Sequence, residues 1–63
     1  MRTPAQIVAD IERLNRDITE AKNAILDSPD DNVIKSRIAK SKLMKADLEK
    51  ELDKSIDFYT NVV

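Results

Sequence analysis

Asp27-Ser28-Pro29-Asp30-Asp31 is the one strong helix breaker inside this 63-residue chain, and its position decides the fold. The residue before a proline avoids the α region, so a helix arriving from the N-terminal side is expected to end near Leu26 or Asp27. On the other side, Ser28 is expected to cap a second helix with Pro29 in its first position. Asp30 and Asp31 then bring negative charge to the positive helix end. A connection this short folds the two helices back antiparallel. The predicted fold class is all-α: one antiparallel, coiled-coil-like two-helix hairpin over residues 1–63, with helix one at about 4–26, a corner at 27–30 and helix two at about 29–60.

Upstream of the corner, Thr3-Pro4-Ala5-Gln6 carries a start signal. Thr3 is a cap, Gln6 closes a capping box three residues on, and Pro4 at the first helical position gives up no needed N–H. Ile7, Ile11, Leu14, Ile18, Ala21 and Ile25 follow at spacings alternating between four and three, the a/d pattern of a helical seam. Asp10 and Asp17 fall at flanking positions on one side of that seam, and Asn15 and Lys22 on the other.

Downstream, Ile34, Ile38, Leu48 and Leu52 supply the facing seam, with Ser41 and Lys45 interrupting it and Ser55 or Ile56, Tyr59 and Val62 continuing it. Pairing about the corner sets Lys45 near Leu14. Lys45 is therefore expected to fix register, its methylenes along the seam and its ammonium on Asp10 or Asp17. At 1.5 Å per residue the helices would span roughly 34 and 48 Å. Helix two is thus expected to overhang, leaving Ile56, Phe58, Tyr59, Val62 and Val63 beyond the reach of helix one. Leu43, with Ala39 and Ala46, faces away from it. Leu43, Ile56, Phe58, Tyr59 and Val62 are the candidate partner interface. Because a two-helix seam rarely offsets the cost of ordering its residues, the hairpin is expected to dimerise into a four-helix bundle.

Composition narrows the chemistry. A chain of this length buries only about 60% of its unfolded surface. It contains no Cys, His or Gly, which removes a disulfide framework, the usual zinc ligands, Cys–His or Ser–His nucleophile pairs and glycine-rich phosphate loops. Leu, Ile, Val and Phe total 17 of 63 residues, above the level of disordered chains, and 11 basic against 12 acidic residues leave a net charge of −1. No apolar run approaches the length of a membrane span, and the Met-Arg-Thr-Pro-Ala-Gln start lacks the apolar stretch of a secretory signal. A cytoplasmic protein with no catalytic residue, no metal site and no cofactor is expected.

The charges point the same way. Asp47, Glu49, Glu51, Asp53 and Asp57 alternate with Lys50 and Lys54, and Glu12–Arg16 and Asp31–Lys35 are helical i,i+4 pairs, the pattern of a solvated face. Lys35, Arg37, Lys40, Lys42 and Lys45 form a basic stretch, but it scatters around a helix with no interleaved aromatic, which disfavours nucleic acid.

Glu51-Leu52-Asp53-Lys54-Ser55-Ile56, followed by Tyr59, resembles the second helix of the small sporulation-regulating aspartyl-phosphate phosphatases, and Ile11-Glu12-Arg13-Leu14 is similar to their first helix. That family is also built of helical hairpins, around a Ser-Gln-Glu-Leu-Asp motif; Glu49 and Lys50 stand here where its Ser and Gln would be. The resemblance implies action on a phosphorylated response regulator, with Asp53 as the residue to test. The leading expectation is different: a non-enzymatic, self-associating protein–protein interaction module that regulates or inhibits another protein. The phosphatase-like hairpin and a small nucleic-acid-binding dimer are the alternatives.

Overall fold

The computed structural model describes residues 1–61. It is all-helical, with two helices, α1 (Pro4–Asp27) and α2 (Asn32–Thr60), packed against each other. The start of α1 forms the expected capping box: the Gln6 N–H donates to Thr3 Oγ1 at 3.3 Å, and the Thr3 N–H donates to Gln6 Oε1 at 3.1 Å. Two of the amides that a helix start leaves without intrahelical partners are satisfied this way.

The corner differs from the sequence reading. Helix α2 begins at Asn32, not at Pro29, and its cap is Asp31, not Ser28. Ser28 instead closes α1, its N–H donating to the Ala24 carbonyl at 3.2 Å, while its own carbonyl accepts from the Asp31 N–H at 3.1 Å. That bond defines a β-turn with Pro29 and Asp30 at its centre. No described residue has a positive φ, so the turn is type I, in which proline pre-sets the first central torsion. Pro29 therefore makes the reversal, and the next side chain able to cap is Asp31. Its Oδ1 accepts from the amides of Val33 at 2.9 Å and Ile34 at 3.3 Å.

The core is a single seam. Ile7, Ile18 and Ala21 are buried, and Ile11, Leu14 and Ile25 are half-buried on the same helix. From α2, Ile34, Ile38, Leu48 and Leu52 are half-buried, as are Ser41 and Lys45. The residue that α2 buries completely is polar: Ser55 has no exposed surface. Two helices side by side leave open surface on both broad faces, so a seam position loses all of its exposed surface, as Ile7 and Ser55 do, where a third piece of chain covers it.

That third piece is the N-terminal segment. Because α2 starts late, it exceeds α1 by only five residues, 29 against 24, about one and a half turns. Residues 1–3 continue alongside it. Tyr59, expected beyond the reach of helix one, is met by the segment that precedes α1: its hydroxyl donates to the Met1 carbonyl at 3.2 Å.

Candidate functional site

The densest set of polar contacts among the described residues joins residues 1–3 to α1 and α2. Arg2 Nε donates to Glu51 Oε1 at 2.8 Å and Nη2 to Glu51 Oε2, a two-pronged pairing, while Nη1 reaches Asp10 Oδ2. One guanidinium thus ties a carboxylate on α1 to a carboxylate on α2. The planar fork suits this, since each prong aligns with a separate oxygen. Arg13 adds a looser contact to Asp10 at 3.6 Å. Beneath the guanidinium, the Ser55 hydroxyl donates to the Arg2 carbonyl at 2.7 Å. No buried side-chain polar atom among the described residues lacks a partner.

The electrostatics follow. Hydrogen bonding to Glu51, and then to Asp10, makes Arg2 hold its proton more tightly than a free guanidinium. The Arg2 hydrogen bonds hold the Glu51 carboxyl below its usual range. All three side chains remain partly open to solvent, with the Arg2 and Glu51 side chains 43% and 38% exposed, so water and salt screen the pairing. The geometry describes a strap that fixes the chain start to the far end of α2. Ser55 is enclosed and already donates its proton to a main-chain oxygen, which leaves it no nucleophilic role.

Two open grooves flank the seam, one on each broad face. Asp10, Arg13 and Leu14 of α1 with Met44, Asp47, Leu48 and Glu51 of α2 line one of them. Asn15, Ile18, Thr19 and Lys22 with Lys42, Lys45, Ala46 and Glu49 line the other. Lys45 therefore lies on the face opposite Asp10. Among the described residues it makes no ion pair within 4 Å, and the expected lysine–aspartate bridge is absent. Asp10 is held instead by Arg2 and Arg13.

The residues expected to form a partner interface do not gather into one patch. Leu43 is 70% exposed, and it precedes Ile56 by 13 positions on α2, about 20 Å along the axis. Ile56, Phe58 and Tyr59 are each a little under half exposed. Phe58 and Tyr59 meet edge to face with ring centroids 5.1 Å apart, a favoured aromatic geometry. Val62 lies outside the described residues. Asp53, the residue singled out by the phosphatase resemblance, is exposed on α2. Among the described residues no three carboxylates are placed to hold a metal ion, and no helix is long and apolar enough to cross a membrane.

Sequence reasoning missed the pairing of Arg2 with Glu51 and left Ser55 as one of two alternatives for its seam position. A usable signal was present. An arginine just before a helix cap, in a hairpin whose register pairs Ile7 with the region of Leu52 and Ser55, falls within side-chain reach of an acid on that stretch of α2. No family model, no curated protein and no solved structure matches the chain, so the resemblance of residues 51–56 rests on those residues alone.

Proposed function

We propose that this chain is a non-enzymatic protein–protein interaction module, a helical hairpin that self-associates into a four-helix bundle and acts on another protein by binding it. The observation that carries this reading is the number of large apolar side chains left exposed around a small core. The elongated hairpin exposes 4835 Å² in all, whereas a compact globular protein of 7.2 kDa would expose about 4,100 Å². Val8, Leu26, Val33, Leu43, Met44, Ile56, Phe58 and Tyr59 all stand exposed, against a buried apolar set of Ile7, Ile18 and Ala21. Isolated exposed leucines are ordinary, but so many large side chains around so small a core favour burial against a second protein surface.

Association linked to folding raises thermal stability with protein concentration. Helicity melts recorded over a hundredfold range of concentration test the reading. The midpoint is expected to climb steadily across that range; a midpoint independent of concentration would refute self-association.

A further inference from the structure

We propose that a second copy of this chain docks on the broad face centred on Leu14, Met44 and Leu48, and that Arg2 makes this contact of like with like electrostatically tolerable. The inference rests on the self-association reading and adds which face is used and why.

Two helices side by side have two broad faces, and a two-fold dimer sets one of them against its own duplicate. Every net charge on the chosen face is therefore met by the same charge. In the groove lined by Lys22, Lys42 and Lys45, a single carboxylate, Glu49, opposes three ammonium groups, a net of +2. None of those lysines makes an ion pair within 4 Å among the described residues. Setting this groove against its duplicate brings six ammonium groups together with only two carboxylates, and like-charge juxtaposition across an interface opposes association.

The opposite face is built differently. Its floor is Leu14, Met44 and Leu48, with Met44 49% exposed, and an unbranched methionine adapts readily to a packing partner. Its rim carries Asp10, Asp47 and Glu51 with Arg13, but Arg2 bonds two of those carboxylates. Three carboxylates against two guanidiniums leave a net of −1, spread along the rim. Without Arg2 the same rim would be −2.

Two measurements on the full chain test this. The first is crosslinking with a short bis-maleimide, since the chain contains no cysteine of its own. Met44→Cys is expected to give covalent dimers, and Lys42→Cys on the opposite face is expected to give none above a dilute control. The second is the dimer dissociation constant from sedimentation equilibrium. Arg2→Gln is expected to weaken association about tenfold through rim repulsion, and Glu51→Gln added to it is expected to restore most of the loss. A strap with only a structural role would not be rescued that way, because the double variant lacks the strap altogether. Dimers that crosslink through Lys42→Cys but not Met44→Cys would overturn the assigned face while leaving self-association intact. Failure of Glu51→Gln to rescue would overturn the role of Arg2. A wild-type monomer would overturn both this inference and the reading it rests on.

Discussion

Ser55 and Arg2, 53 positions apart, are joined by a 2.7 Å hydrogen bond from the Ser55 hydroxyl to the Arg2 carbonyl. This bond closes the hairpin at the end opposite its turn. It also explains a serine at a fully buried seam position, where an apolar residue is the usual occupant. The small side chain lets residues 1–3 lie against α2, and its hydroxyl satisfies a main-chain oxygen that would otherwise be shielded from water.

Replacing Ser55 therefore has a counterintuitive outcome. Ser55→Ala removes the bond to the Arg2 carbonyl and is expected to cost about 1 kcal/mol. Ser55→Leu would strengthen an ordinary helical seam. Here it overfills an enclosed site and is expected to cost about 1–3 kcal/mol. Chemical denaturation of the two variants decides the point: a Ser55→Leu hairpin more stable than wild type would mean that the N-terminal segment does not cover this position.

The Arg2–Glu51 pairing gives a pH dependence with a defined sign. Glu51 is held below its usual value of 4.5 in the folded chain by its hydrogen bonds to Arg2. A depressed carboxyl contributes stability that is present above the unfolded-state pKa and lost as pH falls through the folded one. Wild type is thus expected to melt above Glu51→Gln at neutral pH, with the gap closing below about pH 4.5. The gap should also shrink in high salt, because the pair is partly exposed. A difference that stays constant from pH 7 to pH 3 would count against the pairing.

At the corner, the two candidate caps separate cleanly. Asp31→Ala is expected to destabilise the hairpin by about 1 kcal/mol, a fall of about 4–8 °C in Tm for a domain of this size. Ser28→Ala removes a side chain that caps nothing and should change Tm much less. The reverse order would place the start of α2 at Pro29.

Most of the fold is legible in the sequence because its determinants are local. The capping box at Thr3–Gln6, the four-three spacing from Ile7 to Ile25 and the Ser28-Pro29 break each act within a turn or two of helix, and each is visible without knowing what lies opposite. The start of α2 is harder to read. Ser28 and Asp31 are both good caps, and the choice between them depends on whether Pro29 opens a helix or makes a turn. The strap is the least legible element. Arg2, Glu51 and Ser55 come together only after the hairpin has closed, and nothing local to residues 1–3 predicts an ordered segment. Lys45 shows the same limit. Its seam position follows from periodicity, yet which broad face its ammonium approaches depends on the path of both helices, and that path puts it away from Asp10.

Self-association is the claim on which the functional account stands, and the mass of the particle in solution tests it most directly. Sedimentation equilibrium of the full chain at micromolar concentration is expected to fit a reversible assembly of at least two 7.2 kDa chains, dissociating on dilution with a parallel loss of thermal stability. A fully helical particle of 7.2 kDa that stays unchanged over the whole concentration range would contradict it.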